Sequence, residues 1–126
     1  VEEPRYLSKV LKDIRMDKNY DGFEIVLIDC LVLLVSNWLP LERAEDTGQW
    51  DELRAELLDE IKAMLSEMKI TQKDFIIVSN EVGLGLVPEY PLGRLYRDLL
   101  GEVNQLVAAS ADEVFFMVSG LPMRLK

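Results

Sequence analysis

The chain has 126 residues, 49% of them hydrophobic and 29% charged, with a formal net charge of −9 at pH 7, no histidine and a single cysteine. This is the composition of one globular domain, and it excludes a disulfide framework within one chain, a histidine/cysteine zinc site and histidine-based catalysis by these residues. The acidity argues against non-specific nucleic-acid binding and an anionic membrane surface, while the lone Cys30, inside an apolar run, reads as a small buried hydrophobe in a reducing, cytoplasmic setting.

Residues 3–15 predict an amphipathic helix, with Pro4 in its first turn and Leu7, Val10, Leu11 and Ile14 at helical spacing. The acidic opening Val1-Glu2-Glu3-Pro4 does not read as a signal peptide. An α/β domain that opens on a helix suggests a strand upstream. Residues 16–22 (MDKNYDG) form a polar turn-rich loop. Residues 24–30 (EIVLIDC) run apolar without alternation, as in a parallel strand buried on both faces. Asp29 closes that run. An aspartate there holds or orients Mg²⁺ in many nucleoside triphosphatases, and elsewhere is simply a solvated strand end.

A short helix over residues 31–39 and a polar loop over 40–48 (PLERAEDTG) follow. Residues 49–68 predict a long helix with Leu53, Leu57, Ile61, Leu65 and Met68 in one stripe, and Met64 and Met68 as core rather than a cofactor box. Residues 75–78 (FIIV) are a second strand, ending in Ser79-Asn80-Glu81. A segment with Gly83, Gly85, Pro88 and Pro91 leads into a helix over residues 92–109 that buries Leu95, Leu99, Val103 and Leu106. Residues 113–119 (EVFFMVS) are a third buried strand, closed by Gly120-Leu121-Pro122 and a short tail. No run is long and apolar enough for a membrane span. Strands alternating with helices predict a single α/β domain over residues 1–126, a parallel sheet with helices on both faces.

The segment from Phe75 to Gln105 is the main site candidate, because ligands bind at the carboxyl ends of strands in open α/β sheets. Gly83 and Gly85 do not make a dinucleotide fingerprint, since the third glycine is missing and Pro88 stands where a helix should run. No P-loop occurs in the chain. Arg94 and Arg97 share a helix face and suit either phosphate or an ion-pair surface with Asp98 and Glu102. Asn104 and Gln105 interrupt an apolar helix. They either brace the loop from Asn80 to Pro88 or contact a ligand.

The string SNEVGLGLVPEYPLGRLYRDLLGEVNQ and the upstream VLIDCLVLLVSNWL are very similar to the bifunctional adenosylcobinamide kinase / adenosylcobinamide-phosphate guanylyltransferase family. The resemblance covers essentially the whole chain and is weakest over residues 41–73. It implies a three-layer α/β/α parallel sheet of the P-loop NTPase, RecA-like type. It also implies cobalamin biosynthesis: phosphorylation of adenosylcobinamide and then GMP transfer from GTP through a guanylylated histidine, with GTP or ATP and Mg²⁺ as cofactors and homo-oligomers, typically trimers, as the assembly.

The family's P-loop strand and histidine lie amino-terminal to the matched region. The chain therefore looks like the carboxyl-terminal two thirds of the family's nucleotide-binding domain, lacking the P-loop strand, and by this reading lacks both activities. Glu2 matches a nucleotide-contacting glutamate, and Asp29 the strand-end acid that contacts nucleotide or metal. Asn80, Glu81, Arg94, Arg97, Asp98, Asn104 and Gln105 match the signature string. Val32 stands where the family often has threonine, and Leu34 where tryptophan is common. The rival reading is a non-catalytic truncated α/β module that self-associates through an exposed sheet edge.

Overall fold

A computed structural model describes residues 1–39 and 47–126. The predicted loop over residues 40–48 lies largely outside the described residues. Among the described residues four α-helices and four strands follow in the order α1 (Leu7–Met16), β1 (Ile25–Asp29), α2 (Leu31–Trp38), α3 (Trp50–Ile70), β2 (Asp74–Val78), α4 (Pro91–Ser110), β3 (Phe115–Val118) and β4 (Leu121–Arg124). The architecture is mixed α/β with a parallel strand pair, as the alternation of elements predicts.

The helices begin and end for local reasons. Pro91 opens α4, where its missing N–H costs nothing. Asp51 and Glu52 sit in the first turn of α3 and Lys69 in its last, each favourable to the helix dipole. The first helix starts at Leu7 rather than at residue 3, because the Glu3 carboxylate accepts the backbone N–H groups of Arg5 and Tyr6 at 2.8 and 2.9 Å and closes a separate turn. Its second residue, Ser8, is then held by α3: Glu60 accepts the Ser8 N–H at 2.8 Å and its hydroxyl at 2.9 Å.

The core is one cluster shared by the helices. Leu57, Ile61, Met64 and Leu65 of α3 meet Leu11 of α1, Leu31, Leu34, Val35 and Trp38 of α2, and Leu99, Leu100, Val103 and Val107 of α4. The predicted α3 stripe and the core role of Met64 are both found. In α4, Leu99 and Val103 are buried as expected, while Leu95 and Leu106 are half-buried at the margin.

The sheet departs from expectation in three ways. First, β1 and β2 pair in parallel register from Ile25 against Asp74 to Asp29 against Val78, but the described residues cover only one face. Val26, Ile28, Phe75 and Ile77 turn to the core, while Ile25, Leu27, Ile76 and Val78 are 56%, 60%, 53% and 40% exposed. An unbroken apolar run therefore does not mean two covered faces here. Second, β3 does not join this sheet. It pairs with β4 as an antiparallel hairpin, through a turn in which Ser119 and Gly120 have φ of 52° and 78°. Positive φ at both central turn residues suits the twist of a two-residue hairpin. Third, the end of the predicted closing segment and the start of the predicted tail over residues 123–126 form the strand β4, and β3 is largely exposed rather than buried. Pro122 sits in this short strand, which among the described residues has a partner on one side only, a place where proline is tolerated.

Candidate functional site

Two groups of predicted site residues follow the same end of the parallel strand pair. Asp29 and Val78 are register partners, so the chain leaves β1 and β2 at the same end. Asp29 is exposed, and the Asp29–Cys30 peptide is cis. Beside it a cleft of about 460 Å³ runs along β1, walled by Leu7, Val10, Leu11 and Ile14 of α1. Glu2, Glu3, Asp29, Cys30 and Asn37 line it as well, so the structure brings Glu2 and Asp29 to one cavity. Its volume lies in the range of small-molecule sites, about 300–1,000 Å³.

The amino-terminal segment that carries Glu2 is tied to the end of α2. Arg5 Nε donates to the Asn37 carbonyl at 2.6 Å, Asn37 Nδ2 to the Pro4 carbonyl at 3.1 Å, and Trp38 Nε1 to the Arg5 carbonyl at 3.3 Å. The Arg5 guanidinium lies 5.8 Å from the Trp38 ring centre, and the Tyr6 ring meets Trp38 edge-on at 5.6 Å. The two backbone N–H groups on Glu3 hold its carboxyl below the ordinary glutamate value. Glu3, Cys30 and Asn37 were missed as cleft residues by sequence reasoning. Asn37, which breaks an otherwise apolar helix, was the visible signal.

At the end of β2 the loop is braced by α4. Ser79 Oγ donates to Asn104 Oδ1 at 2.6 Å, and Asn104 Nδ2 donates to the Asn80 carbonyl at 2.9 Å. Arg97 donates to the carbonyls of Gly85 at 3.1 Å and Gly83 at 2.5 Å. Arg94 reaches the carbonyls of Pro88 at 3.0 Å and Glu89 at 2.6 Å. Glu81 Oε1 accepts the Gly83 N–H at 2.5 Å. Bracing is thus what Asn104 and both arginines do here. Asp98 and Gln105 lie on α4 outside this network.

Of a metal–nucleotide complex, the cleft offers carboxylates for the metal end only. Mg²⁺ is commonly held by one or two carboxylates together with substrate phosphates and water. Asp29 and Glu2, which both line the cleft, are carboxylates that could serve in this way. Among the described residues no group of three or more His, Cys, Asp or Glu side chains is placed to hold a metal by itself. The triphosphate end is not matched, because the chain has no glycine-rich lysine loop and both arginines already serve backbone carbonyls. Nor, among the described residues, is any helix long and apolar enough to cross a membrane.

Comparison with known proteins agrees with the resemblance read from the signature string. The profile of a family described as cobinamide kinase / cobinamide phosphate guanyltransferase matches residues 1–125. The chain is 39% identical over 106 residues to the bifunctional adenosylcobalamin biosynthesis protein CobU of Salmonella typhimurium, covering 82% of this chain and 59% of that protein. It is 37% identical to the Escherichia coli protein of the same description, with the same coverage. Against the bifunctional adenosylcobalamin biosynthesis protein CobP of Pseudomonas aeruginosa it is 33% identical over 126 residues, all of this chain and 64% of that protein. The chain thus spans roughly three fifths of the length of these relatives. With the match running from residue 1 to residue 125, the chain belongs to the cobinamide kinase / cobinamide phosphate guanyltransferase family.

Proposed function

We propose that these residues form the metal-side half of a nucleotide site serving cobalamin biosynthesis, in which an intact enzyme phosphorylates adenosylcobinamide and then transfers GMP from GTP. One observation carries the reading: Glu2 and Asp29 line a single cleft along β1, and Asp29 is the register partner of Val78, after which the signature loop begins. In this proposal Asp29 is the acid that faces Mg²⁺, and Glu2 contacts the nucleotide. Mg²⁺, when bound, neutralises charge on the phosphates. Asn80, Glu81, Arg94, Arg97 and Asn104 keep the neighbouring loop in place, and Asp98 and Gln105 remain signature positions open to a ligand or a partner. The fold is a three-layer, RecA-like P-loop type of which residues 1–126 form the carboxyl-terminal two thirds. The lone Cys30 accords with a cytoplasmic setting.

The chain itself has no P-loop and no histidine. The preorganised electrostatics of phosphoryl transfer and the covalent GMP step both need groups that these residues do not supply. The proposal is therefore weak GTP·Mg²⁺ binding without turnover. Calorimetric titration with GTP·Mg²⁺ tests it, with Asp29→Ala as the comparison. Binding that the substitution abolishes is expected. GTP turnover, or binding indifferent to Asp29, overturns it.

A second reading is favoured by the exposed sheet face. Leu27, Ile25, Ile76 and Val78 present apolar side chains together, and β1 pairs with β2 alone among the described residues. Such an edge and face promote self-association, giving a homo-oligomer.

A further inference from the structure

The loop between β2 and α4 has a feature that nucleotide binding does not use. Its backbone carbonyls at Gly83, Gly85, Pro88 and Glu89 turn inward onto Arg97 and Arg94. Its apolar side chains turn the other way: Leu84, Leu86 and Val87 are 78%, 97% and 67% exposed. An exposed loop would ordinarily carry polar residues at such positions. Here guanidinium groups, usually spent on carboxylates, are spent on fixing an apolar ridge.

The ridge's position suggests its occupant. It leaves the sheet after Val78 of β2, at the same strand end where Asp29 closes β1. Direct transfer of a phosphoryl group requires the acceptor to lie against the nucleotide. If the nucleotide sits at Asp29, the acceptor's bulk falls on the neighbouring loop. The acceptor in this family's description is cobinamide, whose body is a broad corrin macrocycle edged with methyl groups. A fixed apolar ridge suits such a face, because a surface already ordered loses little entropy on binding.

We propose that Leu84, Leu86 and Val87 form a contact surface for the corrin face of the acceptor, and that Arg94 and Arg97 are positioning residues that hold it in shape. The proposal rests on the reading of Asp29 as the nucleotide end. Its test measures two ligands separately on the same chain: cobinamide by equilibrium dialysis, followed by its visible absorbance, and GTP·Mg²⁺ by calorimetry. Leu86→Ser and Leu84→Ser are each expected to weaken cobinamide binding about fivefold, as partial loss of one buried apolar side chain implies. GTP binding should not change. Leu121→Ser, at an equally exposed leucine of β4, should change neither. Arg97→Gln should weaken cobinamide binding and speed amide hydrogen exchange across residues 82–89, and Arg97→Lys should restore part of both. Cobinamide binding indifferent to both leucine substitutions overturns the contact surface. So does a chain that binds GTP·Mg²⁺ but no cobinamide. A chain that binds neither ligand removes the nucleotide reading, and the contact surface with it.

Discussion

Gly93 shows how tightly the loop and α4 are fitted. A Cβ at this position would lie 2.6 Å from Tyr90 Cε2 and 2.8 Å from Pro88 Cβ. The exposed tyrosine ring can swing away, but the proline cannot. At Gly101, further along the same helix, a Cβ would meet nothing within 4 Å. The two glycines should therefore respond in opposite directions. Gly93→Ala is expected to destabilise by about 1–2 kcal/mol, the overpacking cost exceeding the helix gain. Gly101→Ala should stabilise by about 0.5–1 kcal/mol, the usual alanine advantage within a helix. Urea denaturation of both variants checks the signs, and a destabilising Gly101→Ala would mean the packing around α4 is misread. At Glu3 the prediction concerns pH. Two backbone N–H groups lower its carboxyl below the ordinary glutamate value, so the folded form favours the ionised group. Its contribution is complete above the ordinary value and is lost as pH falls through the lowered one. Glu3→Gln should flatten the stability–pH curve over that acidic window and leave its neutral-pH slope unchanged.

At the scale of elements, α3 and α4 were legible because each carries a long apolar stripe. Leu57, Ile61 and Leu65 repeat at helical spacing, and all turn to the core. The start of α1 was not legible, because it depends on a local competition in which the Glu3 carboxylate takes the N–H groups of Arg5 and Tyr6. The strands β1, β2 and β3 were found, but their environment was misjudged. A run such as Ile25-Val26-Leu27-Ile28 is the same string whether one face or both are covered, and here alternate residues face out. The β4 strand was missed because it is short and holds Pro122, and its pairing with β3 depends on the Ser119-Gly120 turn. For the site, residue type pointed to Asp29 and to the polar residues of α4. What each α4 residue touches required the folded chain. Spacing left Arg94 and Arg97 open between phosphate and an ion-pair face, whereas both bind loop carbonyls. Asn104 was equally open between bracing and ligand contact, and it braces.

At the scale of the whole molecule, the chain has a well-filled helical core and an incompletely covered sheet. Leu27 at 60% exposure and Ile76 at 53% lie on the uncovered face, and the β3–β4 hairpin adds Phe115 and Met117 at 49% and 58%. If the sheet face drives association, the native chain should sediment as an oligomer and Leu27→Glu as a monomer with its fold retained. A native chain that is strictly monomeric at high concentration would remove the self-association reading. Weak nucleotide binding without turnover is a separate claim, and it concerns the strand end shared by Asp29 and the signature loop. Calorimetric titration of the native chain and of Asp29→Ala with GTP·Mg²⁺, with phosphate release followed in the same samples, tests it most directly. The account predicts measurable binding to the native chain, none to the variant and no phosphate release from either. Release of phosphate by the native chain, or equal binding by both, would contradict it.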